Sequence, residues 1–242
     1  MALLETLWPL FGLHLKTPRL VLRPLRDEDI PHYVDAAASG IYERVNGHIP
    51  FPTAWAESPE LGPTAARWIW ENRIKSRPES WTVMFGVWSS AGEFLGSQDV
   101  AAKNFAALRT VTTGSWLRRS DQGRGLGKEM RAAVLLWCFD SLGAEVAMTS
   151  TFEWNAPSIG VSRSLGYEPN GEARLETSLG VVEREVRFRL AQERFQRPPW
   201  ELRVEGHEAA AAALGIPEER GGHPARLDGG DDDGDGGGPR MS

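Results

Sequence analysis

The chain has one cysteine in 242 residues, so no disulfide can form within it, and Cys138 sits inside a helical pattern as a small hydrophobe. It has no excess of basic residues. The net charge is −6, of which residues 217–242 account for −4 through seven acids and three arginines. A nucleic-acid surface usually shows as a basic stripe, and none is present. There is no long apolar run either. The N-terminal MALLETLWPLFGLHLK lacks a basic lead and is too short for a signal peptide or a membrane span, so a cytoplasmic protein with no membrane partner is expected. At 41% hydrophobic residues the chain can still build a sizeable core.

Two phosphate-binding motifs are also missing. The glycine-rich turn Gln122-Gly123-Arg124-Gly125-Leu126-Gly127 ends in Gly127-Lys128, as a Walker A loop would. The first Walker glycine would then be Gln122, and the hydroxyl position holds Glu129. A Rossmann fingerprint needs a glycine where Lys128 stands. What remains is a strand (Thr110 to Leu117), a turn with glycines at alternate positions, and an amphipathic helix with Leu126, Met130, Val134 and Trp137 on one face, stopped by Gly143. The helix directs unpaired N–H groups and its positive dipole end at the turn, which suits a phosphate or pyrophosphate.

Around this unit the chain alternates simple signals. Leu15 to Pro24 reads as one strand at a sheet edge, bounded by Pro18 and Pro24. Asp27 is a candidate N-cap for a helix running to Ser39, with Gly40 as the stop. Gly47 to Pro63 is a proline-rich loop, and Thr64 to Lys75 a helix whose Trp68, Ile69 and Trp70 are expected in the core. Trp81–Trp88 and Phe94–Lys103 form a hairpin. Glu145 to Phe152 completes a βαβ unit. Asn155 caps a short helix ending at Gly166, and Gly171 to Leu190 holds two more strands turning near Gly180. After Pro198-Pro199 the chain offers a further strand (WELRVEG) and a short helix (EAAAAAL). The acidic segment 217–242 reads as disordered, and its Asp231-x-Asp233-x-Asp235 run lacks the closing Glu of a calcium loop.

The order of elements, the opening TPRLVLRPLRDEDI, the loop QGRGLG and the later N-x-x-S…LGY together resemble the GNAT acyltransferases over roughly residues 13–195. They are most similar to the branch of ribosomal-protein N-terminal acetyltransferases. The runs GSWLRRSDQGRGLGKEMRAAVL and NAPSIGVSRSLGYEPNG resemble an actinobacterial subgroup with a mycobacterial member described as succinyl-CoA-binding. The resemblance implies an α+β fold: a mixed, mostly antiparallel sheet flanked by helices, with a βαβ acyl-CoA-binding unit. It implies a domain over residues 1–200, a C-terminal extension over 201–216 and the tail beyond.

The same resemblance implies acyl transfer from acyl-CoA, acetyl-CoA first and succinyl-CoA as the alternative, to a primary amine by direct attack, without a metal. A homodimer is compatible with it, and a non-catalytic acyl-CoA sensor is the alternative of a different class. Backbone groups of Gly123, Arg124, Gly125, Leu126, Gly127 and Lys128 would cradle the pyrophosphate, flanked by the Gln122 and Arg124 side chains, with Arg118 and Arg119 nearby. Trp116 and Leu117 would lie on a strand end parted from its neighbour, pair with pantetheine and polarise the thioester carbonyl. Asn155 and Ser158 would touch the CoA arm. Asp99 or Glu153 would take the amine proton. Many relatives place a tyrosine acid on the helix after the fifth strand; this chain offers Ser158 and Ser162 there, and Tyr167 beyond is expected in the core. A succinyl donor would call on Arg67, Arg73 or His48, and a cationic acceptor on Glu43, Glu57 and Glu60.

Overall fold

The structure, a computed structural model, describes residues 3–216. Its centre is a nine-stranded sheet: β1 His14–Lys16, β2 Leu20–Pro24, β3 Ser80–Ser89, β4 Phe94–Lys103, β5 Thr110–Leu117, β6 Val146–Phe152, β7 Glu168–Glu176, β8 Val182–Ala191 and β9 Arg203–Glu205. The helices are α1 Leu4–Leu7, α2 Ile30–Ala38, α3 Leu61–Lys75, α4 Phe105–Leu108, α5 Leu126–Leu136, α6 Ala156–Ser164 and α7 His207–Ala213. The strand order is β7-β8-β6-β5-β4-β3-β2-β1-β9, antiparallel except for β5 beside β6. This is the mixed α+β sheet expected from the sequence.

Two apolar layers cover the sheet. On one face α5 packs Leu126, Met130, Val134 and Trp137 against Phe85, Val87, Val100 and Val111. On the other, α2 and α3 bring Tyr33, Ala36, Leu61, Ala65 and Ile69 onto Phe94 and Trp116. The helix α5 is buried nearly all round rather than amphipathic, with Glu129 and Arg131 buried among its apolar residues. It runs on through a π-helical turn, Trp137–Ser141, which buries Cys138, and ends at Gly143.

Several local expectations change. Leu15 to Pro24 is two strands, not one, because Pro18 lies in the tight turn joining β1 to β2, with Leu15 opposite Leu22. Neither strand is an edge: β2 lies between β1 and β3, and β9 covers β1 with Leu15 opposite Val204. Asp27 does not cap a helix by its side chain. It accepts from Arg73 and Trp70, while Asp29 accepts from the Arg26 N–H at 2.8 Å. Helix α3 begins at Leu61, with Pro63 tolerated in its first turn. Trp68 and Trp70 are 55% and 44% exposed, so only Ile69 of that trio is core.

Residues 201–216 share the main core through Ala210, Ala211, Leu214 and Ile216. Their approach is close. A Cβ on Gly206 would stand 2.2 Å from the Gly12 carbonyl oxygen, so only glycine fits. The acidic segment and its Asp231-x-Asp233-x-Asp235 run lie outside the described residues. Among the described residues no helix is long and apolar enough to cross a membrane.

Candidate functional site

The parallel pair β5/β6 is in register for only three residues: Thr110 with Val146, Val111 with Ala147 and Thr112 with Met148. Beyond Thr112 the strands part. The last tie is the Thr149 hydroxyl, which donates to the Thr113 carbonyl at 3.0 Å. On its other side β5 stays paired with β4 as far as Gly96–Leu117. From Gly114 to Leu117, therefore, one edge of β5 faces a wedge-shaped gap, and alternate backbone groups point into it.

The glycine turn closes the top of this gap. After a short 3₁₀ turn at Arg119–Asp121, Gly123 (φ 73°) and Gly125 (φ 77°) adopt left-handed backbone, and α5 starts at Leu126 with Gly125 as its N-cap. Two ties hold the turn. Gln122 Nε2 donates to the carbonyls of Leu117 (2.9 Å) and Ile41 (2.8 Å), so this side chain anchors the turn to the strand end and is not turned outward. Arg19, from the β1–β2 turn, donates through Nη1 to the Arg124 carbonyl at 3.0 Å and through Nε to Glu129 at 2.6 Å. Glu129 also accepts from the Thr17 hydroxyl at 2.6 Å. Arg124 and Lys128 are exposed, and Arg118 pairs with the buried Asp121 at 2.6 Å. Arg119 is drawn to Glu43 at 2.5 Å. The sequence signal for the Arg19–Glu129 tie was absent, since 110 residues separate the partners.

At the base of the gap sits Asp99, opposite Gly114 on β4. Gly114 has no side chain where the carboxylate lies: a Cβ there would meet Asp99 Oδ1 at 2.9 Å. Asp99 is part-buried beneath an aromatic layer in which Trp116 packs edge-on against Tyr33 (4.9 Å between centroids) and beside Trp55 (5.7 Å). Loss of water pushes its pKa from 3.8 up to about 6, although backbone N–H groups and the Arg131 cation pull the other way. Burial also raises the pKa of the Tyr33 hydroxyl.

Asn155 caps α6 by accepting from the Ser158 N–H, and the Ser158 carbonyl accepts from the Ser162 hydroxyl. Tyr167 is buried in the main core. Glu153 lies apart from Asp99. Extrapolating the β5/β6 register sets Gly114 level with Ser150, so Glu153 stands three residues further along, roughly 10 Å. It pairs with Arg184 at 2.8 Å on the wall of an open groove of about 850 Å³ that also holds His48, Trp154 and Glu183. There the buried Glu183 carboxylate accepts from Trp154 Nε1 at 3.0 Å and lies 2.5 Å from His48 Nδ1. Arg73 is engaged with Asp27, the Leu25 carbonyl and the Phe11 ring. Arg67 is exposed, and Glu57 pairs with Arg44.

The residue most clearly missed by sequence reasoning is Arg131. It is 5% exposed, with Nη1 donating to Ser162 Oγ (2.9 Å) and Nη2 to Ser115 Oγ (3.2 Å). A lone cation in the run MRAAVLLWCF was the available signal. Among the described residues no cluster of His, Cys, Asp and Glu could hold a metal.

Residues 19–168 match the profile of the acetyltransferase (GNAT) domain. Solved structures with the same fold include RimJ of Mycobacterium smegmatis in complex with CoA-disulfide, at TM-score 0.61 and 18% identity over 85% of this chain and 96% of that one. An acetyltransferase (GNAT family) from Bacillus anthracis superposes at TM-score 0.58 with 15% identity over 74% and 99% of the two chains. The dodecameric spermidine N-acetyltransferase of Vibrio cholerae does so at 0.55 with 15% identity over 73% and 96%.

Proposed function

Since the chain belongs to the GNAT acetyltransferase family, we propose that it is an acyl-CoA-dependent N-acyltransferase that moves an acetyl group to a primary amine by direct attack in a ternary complex. The observation that carries this reading is the wedge between β5 and β6, open from Gly114 onward, with the Gly123–Lys128 turn at its top and the Asp99 carboxylate at its base.

The parts fit an extended, anionic donor. N–H groups of Gly123 to Lys128 at the start of α5 would hold a pyrophosphate, with Arg124, Lys128 and Arg19 as the nearest exposed cations. The free edge at Trp116 and Leu117 would pair with the amides of the pantetheine arm, as a strand does, and one N–H there would polarise the acyl carbonyl. Asn155 and Ser158 at the start of α6 would bound the arm on the β6 side. Asp99, with a pKa near 6, is ionised at neutral pH and would take a proton from the acceptor ammonium, directly or through water, to free the attacking amine. Glu153 is held by Arg184, and this weighs for Asp99 between the two. Bringing a lysine-like amine to its neutral form at pH 7 costs about 4–5 kcal/mol, which is the work asked of that base and its surroundings.

For the acceptor, polyamines, the class named for the spermidine N-acetyltransferase neighbour, and the protein N-termini that the sequence resemblance implies are the classes to try first. The β7–β8 turn docks on the proline-rich loop, Ser178 N–H to the Pro52 carbonyl at 2.8 Å, and the strands it joins wall, through Glu172, Arg174 and Glu183, the groove beside Trp154 through which an acceptor would enter. A succinyl donor draws no support from Arg73 or His48, which are already engaged.

The test is mass spectrometry of products after incubating the protein with acetyl-CoA or succinyl-CoA and a broad amine library. An amine-dependent acetyl mass shift with thiol release is expected. Tight CoA binding without any acylated product would favour a sensor, and no CoA binding would sink the reading.

A further inference from the structure

Arg131 is a buried cation that the reading above leaves without a task. It stands on α5 one turn beyond Gly127, about 6 Å further along the helix. Its partners are the hydroxyls of Ser115 and Ser162, and its Nε has none. No carboxylate is within ion-pair distance of it among the described residues; the charged and titratable groups facing it are Asp99, across the sheet, and Tyr167. Burial disfavours its charge, yet a guanidinium keeps its proton in proteins. A buried charge with only neutral partners is costly unless an anion arrives to meet it.

Its two partners say where that anion would be. Ser115 lies on the stretch of β5 that has left β6, two residues before Leu117. Ser162 lies on α6, the helix that follows β6. The guanidinium thus spans the gap from the free strand to that helix. It is buried, whereas Arg124 and Lys128 are exposed.

We propose that Arg131 is a catalytic residue that stabilises the departing thiolate of the acyl donor. The inference rests on the acyl-CoA reading. Once the ammonium proton has passed to solvent through Asp99, the neutral amine nitrogen bonds to the thioester carbonyl carbon and its second proton passes to Asp99. The carbon–sulfur bond breaks with its electron pair on sulfur, and the thiolate leaves against the Arg131 cation. Water protonates the thiolate on release, and Asp99 returns its proton to solvent, so no further reactant is needed. Ser115 and Ser162 are positioning residues that hold the guanidinium plane.

The experiment titrates the thiol of CoA bound to the full chain, following the ultraviolet absorbance of the thiolate, in the wild type, Arg131→Met and Arg131→Lys. The bound thiol should ionise at least about one pKa unit below free CoA in the wild type. Arg131→Met should abolish that displacement and Arg131→Lys should keep part of it. Arg131→Met should lower kcat with acetyl-CoA by ~10²-fold, the scale of one lost charge-stabilising group, while KM and the Kd for desulfo-CoA change by less than about 3-fold. A merely structural arginine would not move the thiol titration.

An undisplaced thiol in the wild type overturns the proposal even if Arg131→Met fails to fold. So does a variant that loses succinyl-CoA turnover but keeps acetyl-CoA turnover, because the cation would then read the acyl group. Failure to bind CoA at all overturns the acyl-CoA reading as well; binding with an undisplaced thiol overturns this proposal alone.

Discussion

Replacing Asp99 with asparagine should make the protein more stable and far less active. The carboxyl ionises near 6 in the folded protein instead of 3.8, because the aromatic layer and β5 strip it of water. A group whose pKa rises on folding binds its proton more tightly in the folded state. Its contribution therefore favours folding fully below about pH 4, and is lost as pH climbs through 6. Above pH 6 the charged carboxylate costs up to about 3 kcal/mol, and the part of Asp99 still open to the gap lowers that to roughly 1–3 kcal/mol. Asp99→Asn removes this cost. Urea melts at pH 8 should show the variant more stable by about 1–3 kcal/mol, a rise of several degrees in Tm, with the difference vanishing near pH 4. Acyl transfer should fall ~10²–10⁴-fold, and the acidic limb of the wild-type kcat/KM profile should bend near pH 6. Equal or lower stability of Asp99→Asn at pH 8 would refute the claim that this carboxylate is held at a cost beside the gap.

Other substitutions probe the frame. Gly125→Val forces a branched residue into left-handed backbone (φ 77°) at the N-cap of α5; it should cost about 1–2 kcal/mol in thermal melts and remove measurable CoA binding by calorimetry. Gly96→Ala would set a Cβ 2.2 Å from the Trp116 carbonyl oxygen and should destabilise the β4–β5 pair by about 1–3 kcal/mol. Glu129→Ala strips Arg19 and Thr17 of their buried acceptor, and should cost about 1–3 kcal/mol and raise KM for acyl-CoA by loosening the turn.

Local signals in the chain were read well. The glycines at 123 and 125 take the left-handed backbone their spacing suggests, Asn155 caps α6, and Gly40, Gly143 and Gly166 end their helices with positive φ. These depend on neighbours within a few residues. What could not be read depends on residues far apart. Pro18 reads as a strand boundary, yet it turns the chain into a hairpin that the distant β9 then covers. Trp68 and Trp70 look like core by type, but α3 buries its Leu61, Ala65 and Ile69 face and leaves both exposed. Asp99 enters only as one of two candidate bases that the family resemblance implies, and Arg131 reads as an ordinary charged residue. Only the packed sheet shows one held beside Gly114 and the other buried between Ser115 and Ser162.

The central claim is that the gap beneath the glycine turn receives an acyl-CoA. Calorimetric titration of acetyl-CoA into the wild type and Gly125→Val tests it most directly. The account predicts saturable binding to the wild type with a Kd of order 1 μM–1 mM, the range usual for enzyme substrates, and no binding to a folded Gly125→Val. Equal binding to both proteins, or none to the wild type, would contradict it.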